Sequence, residues 1–220
     1  MKIIKPYAKI IDVFNGYDIL RKIEKIGRVC YKSENKITND SAKDFVSMII
    51  KRGHEAILEH ASVTVKFVCD RGISHELVRH RVASYAQEST RYCNYSNNKF
   101  GNELTFIKPF YLDDSGLEYA RWLDTLKKDE TVYLELIDKG LSPQEARGIL
   151  PNCLKTEIYM TANLREWRHF FNLRCDVKAH PQMRELTLPL LQNMHKIIPV
   201  VFDDIYDKFK NDMERIALWR

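Results

Sequence analysis

The residues best suited to chemistry in this chain lie between Arg79 and Arg91, where the order is Arg-His-Arg-Val-Ala-Ser-Tyr-Ala-Gln-Glu-Ser-Thr-Arg. Arginine presents planar, bidentate donors that match phosphate and carboxylate. Setting Arg79, Arg81 and Arg91 beside Val78, Val82, Ala83 and Tyr85 is costly unless an anion neutralises them, and Glu76 and Glu88 are the only acids close by. The segment therefore reads as a preformed anion cradle. His80 stands between two of the arginines, which disfavours its protonated form. A neutral imidazole there can donate, accept or stack, or it can be a buried structural group. Ser89 has no adjacent base in sequence, so a phosphate-binding hydroxyl is a more economical reading than a nucleophile.

Four further arginines, Arg147, Arg165, Arg168 and Arg174, form two more basic groups. Arg168 reads as part of a solvated helix face. Arg174 ends the apolar run Phe170-Phe171-Asn172-Leu173, where a cation favours a helix C-terminus, and that role weighs evenly against anion binding. Asn163-Leu164-Arg165, at a strand-to-helix junction, would present donors at a helix N-terminus. His54-Glu55 and His75-Glu76 open like a zinc-protease helix, but Leu58 and Arg79 stand where the second histidine is needed. His54, Glu59 and His60 lack metal-ligand spacing, so no metal centre is expected. No glycine-rich nucleotide turn occurs among the eight glycines. The five cysteines contain no Cys-x-x-Cys pair and read as reduced thiols; Cys153 would need a base that sequence cannot supply.

The elements that must carry these groups follow from periodicity. Lys2–Ile11 and Leu104–Ile107 read as strands, as do Val63–Val68, with its alternating β-branched residues, and Ile158–Ala162. Helical spacing marks Asp18–Tyr31, Ser41–Arg52, Ser74–Arg81, Ser115–Lys139, Arg165–Leu173 and Pro181–Ile198. Ser142-Pro143 with Glu145 carries a capping box at the start of one more helix. Asp70-Arg71-Gly72 reads as a turn. Isolated strands among several helices indicate an α+β fold, with a mixed or antiparallel central sheet flanked by helices, in one domain over 1–220.

Composition bounds the function. The 220 residues are 45% hydrophobic and 30% charged, as in a globular protein able to bury a sizeable core. No apolar run spans a membrane or forms a signal peptide, so a cytoplasmic protein is expected. A net charge of +5 is too mild to demand nucleic acid.

Arg79-His80-Arg81, seven intervening residues, Ser89 and then Arg91 resembles the signature of the flavin-dependent thymidylate synthases. Gly53-His54-Glu55-Ala56-Ile57-Leu58-Glu59-His60 is similar to that family's upstream flavin-contact segment. Glu145-Ala146-Arg147 with Leu150-Pro151 also fits, as does Asn163-Leu164-Arg165 with Trp167-Arg168-His169-Phe170 and Arg174. The resemblance runs from about Arg28 to beyond Pro181. It implies reductive methylation of dUMP to dTMP, with methylenetetrahydrofolate as carbon donor, FAD as hydride carrier and NADPH as reductant. It also implies a homotetramer whose sites are shared between subunits. By position, Glu76, Leu77, Val78, Arg79, Gln87, Glu88, Ser89, Thr90, Arg91, Arg147 and Arg174 would bind dUMP. Arg174 would be catalytic at the pyrimidine, with Ser89 and Arg91 at the phosphate. Ala56, Arg79, His80, Arg81, Gln87, Asn163, Leu164, Arg165 and His169 would contact FAD. Ala56 departs from the Ser or Thr often found there, leaving only backbone or van der Waals contact.

A rival reading makes Arg79–Tyr95 a nucleic-acid strip, with Tyr85, Tyr92 and Tyr95 stacking bases while the arginines track phosphates. The modest charge and the lack of a nucleic-acid motif speak against it.

Overall fold

Alternation of Val63, Val65 and Phe67 with Thr64 and Lys66 specifies a strand with one buried face. In the computed structural model, which describes residues 1–217, that strand (β3, Ser62–Asp70) is an inner strand of the main sheet. Residues 218–220 of the expected 1–220 domain lie outside the described residues. β3 pairs antiparallel with β2 (Tyr7–Ile10) and with β6 (Lys155–Asn163), and β6 pairs antiparallel with β4 (Ala83–Gln87). The order is therefore β2-β3-β6-β4. Thr64 lies opposite Thr161, their hydroxyls 3.0 Å apart, which pins the β3–β6 register.

The expected first strand, Lys2–Ile11, is divided in two. β1 (Lys2–Ile4) leaves the main sheet and runs parallel to β5 (Thr105–Ile107), whereas β2 begins beyond Pro6. Proline removes a ladder donor, so the chain changes sheets there.

One face of the main sheet packs on α1 (Gly16–Val29), α2 (Ser41–Lys51), α6 (Leu164–Arg174), α7 (Pro181–Ile197) and α8 (Asp203–Ala217). Trp167, fully buried on α6, donates its indole N–H to the Val63 carbonyl at 3.0 Å and so ties helix to strand. Gly16 opens α1 directly against the end of α7. A Cβ there would sit 1.8 Å from the Ile197 carbonyl oxygen. A second cluster, including Phe106, Leu126, Tyr133 and Leu154, gathers where α4 (Leu117–Asp138) and α5 (Pro143–Ala146) cover β5.

Two boundaries differ from expectation. Asp70-Arg71-Gly72 is no free turn: Asp70 Oδ1 accepts from the Ile73 N–H at 2.7 Å, so α3 starts at Arg71 and ends at Leu77. The stretch from Val78 onward is thereby released, and β4 forms where no strand was expected. The antiparallel main sheet beside separate helices is an α+β arrangement.

Candidate active site

The site is built outward from the first turn of α6. Asn163 is its N-cap and accepts the Glu166 N–H at 2.9 Å. Glu166, three residues on, does not reach back to the cap as in a capping box. Its Oε1 lies 3.0 Å from His80 Nδ1 instead. His80, only 4% exposed, packs edge-on against the Phe170 ring at 4.9 Å. Its other nitrogen, Nε2, accepts from Arg174 Nε at 3.1 Å. Arg174 Nη1 donates to Glu76 Oε2 at 2.8 Å, and Nη2 donates to the Glu76 carbonyl at 3.0 Å. The guanidinium thus turns toward α3 and His80, not toward the carbonyls ending its own helix.

Burial holds His80 below the ordinary histidine pKa; the Arg174 charge pushes the same way, and Glu166 opposes. The sequence had the direction right and the cause wrong, because Arg79 and Arg81 point outward, exposed. Both line, with Glu76, His80, Val82, Glu166, His169, Leu173 and Arg174, a cavity of about 540 Å³. Neither makes an ion pair among the described residues. Val82, Glu166 and His169 also border a neighbouring cavity of about 500 Å³, whose wall adds Glu55, Glu59, Asn163, Arg165, Arg168 and Asn172.

The other half of the predicted set lies elsewhere. Ser89, Thr90 and Arg91 follow the far end of β4, and at about 3.3 Å per residue the strand separates them from Arg81 by roughly 20 Å. Thr90, buried, accepts from Arg147 Nη1 at 3.4 Å, and the two line a third cavity of about 250 Å³ with Arg71 and Asn152. Ser89 Oγ accepts from the Arg91 N–H at 3.2 Å, and no base bonds it among the described residues. Arg91 is exposed over the Tyr92 ring. One chain therefore does not gather Arg79, Arg91, Arg147 and Arg174 into a single pocket.

Several predicted contacts are already engaged within the chain. Gln87 spends its amide N–H groups on Ser74 Oγ and Thr156 Oγ1, and Glu88 is held by Lys155 at 2.9 Å and by the Tyr95 hydroxyl at 3.1 Å. Leu77 and Leu164 have fully buried side chains, and the Leu164 N–H donates to the Ala61 carbonyl. Val78 is exposed beside Arg79. Ala56 is exposed in the 3₁₀ turn Glu55–His60, next to the cavity residue Glu55.

Arg168 overturns its reading as a solvated helix face. It is 5% exposed and forms a fork on Asp204 at 2.7 and 2.8 Å, with Glu55 at 3.0 Å. The basic-aromatic strip of the rival reading does not form either. The Tyr85 hydroxyl turns inward onto the Leu77 and His80 carbonyls, Tyr95 is buried, and of the three only Tyr92 is well exposed, at 77%. His54, Glu59 and His60 do not gather, since Glu59 pairs with Arg165 at 2.6 Å. Ligand atoms of His80, Glu166 and His169 do lie within 4.8 Å of one another, but both His80 nitrogens are taken. Burial pushes the Cys153 thiol up to about 11, so it stays protonated and poorly nucleophilic. Glu166 was missed, although the Asn163-x-x-Glu166 spacing ahead of an apolar run was a readable helix-start signal.

A family model described as thymidylate synthase complementing protein matches residues 12–200. The chain is 37% identical over 166 residues to a flavin-dependent thymidylate synthase of Pyrococcus furiosus, covering 75% of this chain and 67% of the relative. It is 33% identical over 184 residues to the one of Geobacter sulfurreducens, with 80% and 78% covered. Against the one of Corynebacterium aurimucosum it is 35% identical over 196 residues, with 84% and 79% covered.

Proposed function

The chain belongs to the thymidylate synthase complementing protein family, and on that premise we propose that it converts dUMP to dTMP by reductive methylation. Methylenetetrahydrofolate is the carbon donor in this reading, FAD the hydride carrier and NADPH the reductant. The observation that carries it is the shared cavity of Arg79 and Arg174, with Arg174 held by three bonds. Those bonds use three of the five guanidinium N–H groups, leaving two for a ligand.

A guanidinium presented edge-on to N3 and O2 of uracil stabilises the N3-deprotonated ring, which makes C5 a better nucleophile. Arg174 is the group proposed for this role. Ser89, Arg91 and Arg147 supply donors for the 5′-phosphate. The donor set also fits a flavin dinucleotide. Arg79 and Arg81 are exposed guanidiniums that make no ion pair among the described residues, suited to a diphosphate, and Val82, Leu173 and His169 offer apolar and ring surface beside them. Asn163 and Arg165 line the adjoining cavity, and Ala56 follows its wall residue Glu55 in the chain. Bound flavin supplies the two-electron redox chemistry, and the chain supplies orientation and charge.

Because the Arg79–Arg81 and Ser89–Arg91 ends of the signature are a strand apart, one nucleotide cannot span both within a chain. The proposal therefore includes a homotetramer of single-domain cytoplasmic chains, each site completed by a second subunit. Among the described residues no helix is long and apolar enough to cross a membrane.

Purified protein should show the visible band of oxidised flavin and form dTMP only with both NADPH and methylenetetrahydrofolate present. Arg174→Ala should keep that band while kcat falls by about 10²–10³. A colourless protein that takes up no added flavin, or an Arg174→Ala variant with full turnover, would overturn the reading.

A further inference from the structure

We propose that His80 is a positioning residue for Arg174, held by Glu166 as the neutral imidazole protonated on Nδ1 so that its Nε2 lone pair fixes the guanidinium. The inference rests on the role proposed above for Arg174 and moves His80 from contacting flavin to orienting another side chain.

The proton's location follows from the partners. Arginine carries no acceptor, so the 3.1 Å contact between Arg174 Nε and His80 Nε2 requires a lone pair on the imidazole. Glu166 accepts at the opposite nitrogen, 3.0 Å away, which requires N–H there. The two constraints are independent and agree on one tautomer. An imidazolium would set an N–H of its own against the guanidinium, two donors and two like charges. His80 cannot readily turn away: it is almost fully buried, with the Phe170 ring at 4.9 Å and the His169 ring at 5.8 Å. Glu166 is fixed in turn, because Asn163 accepts its N–H and sets the first turn of α6. At the far end of that helix the Thr187 hydroxyl donates to the Arg174 carbonyl at 2.9 Å, so the residue is held at both backbone and side chain. Without His80, Glu76 alone would hold the guanidinium, and the bond at Nε that orients its plane would be lost. Small misplacements of a group that meets the reacting atoms are costly in turnover.

The two amides that mimic histidine separate this role from mere packing. The Gln side chain reaches the position of Nε2, whereas Asn reaches only that of Nδ1. His80→Gln should therefore retain kcat within about fivefold, while His80→Asn, which keeps the Glu166 partner and loses Arg174, should lose about 10–100-fold at saturating dUMP. Both should keep the flavin band, and Arg174→Ala serves as the reference. If Arg174→Ala turns over normally, the parent reading falls and this inference with it. If Arg174→Ala is inactive while His80→Asn matches wild type, or while both His80 variants are equally slow, the positioning role alone is overturned. Loss of flavin from both His80 variants would likewise overturn it, in favour of direct cofactor contact. A second measurement does not depend on how the variants fold. In the ¹⁵N-histidine spectrum of the flavin-loaded enzyme, the His80 resonances should show a bare Nε2 and a protonated Nδ1, and a protonated Nε2 would refute the proposal.

Discussion

At the scale of single residues, the pair His80–Arg174 sets how the site should respond to pH. The groups facing His80 are Glu166, Arg174 and His169, and their balance with burial holds its pKa below the ordinary 6.5. Protonation would remove the acceptor that Arg174 uses. Wild-type kcat should therefore hold through neutrality and fall on the acid side, below about 6.5, whereas His80→Gln should lack that limb. A pH–rate profile with identical acid limbs in both proteins would assign the titration to another group. Stability has the same sign. Between the lowered folded value and 6.5 the unfolded chain binds the extra proton, so this group's contribution declines as pH falls through 6.5 and levels off below the folded value. Sequence spacing made the arginines conspicuous because each is a strong donor wherever it lies. It could not show that Gln87 and Glu88 are spent on Ser74, Thr156, Lys155 and Tyr95, since those partners come from other strands and helices.

At the scale of elements, Arg168 joins α6 to the start of α8 and to the turn that carries Ala56. Removing it strands Asp204 and Glu55 beside a buried gap. Breaking a fully buried pair costs about 3–5 kcal/mol; Asp204 is 56% exposed, so Arg168→Ala should cost about 2–3 kcal/mol, read from denaturant midpoints at constant slope. A loss below about 0.5 kcal/mol would mean the fork is a surface pair after all. Its helix was legible from periodicity, yet its burial was not, because α8 went unread. Ile205, Phe209 and Met213 repeat at helical spacing and are buried, and that face docks α8 on the core, bringing Asp204 at its start to Arg168. β4 was missed for a different reason. It is five residues long with no fully buried member, so its pattern is weak, and pairing with β6 makes the strand.

At the scale of the whole molecule, the separation of the two halves of the arginine signature along β4 decides where a complete site can form. If each site takes Arg174 from one chain and Arg147 from another, mixing two inactive proteins should restore activity. Tetramers reassembled from Arg147→Ala and Arg174→Ala subunits would contain some sites with both arginines intact, and turnover should return. Light scattering should give a particle of four 26.0 kDa chains. A monomeric particle, or no recovery on mixing, would argue against the shared site. By itself the sequence determined the chemistry on offer, the family signature, most helices and the strands at the centre of the main sheet. These depend on local spacing and on residue types that mean the same thing in any surroundings. Only the tertiary structure decided which arginine meets which acid, which side chains face the two nitrogens of His80, and which of the expected site residues lie at opposite ends of a strand. Those are matters of distance between residues far apart along the chain, and it is packing of α6 on the sheet, not any local pattern, that determines them.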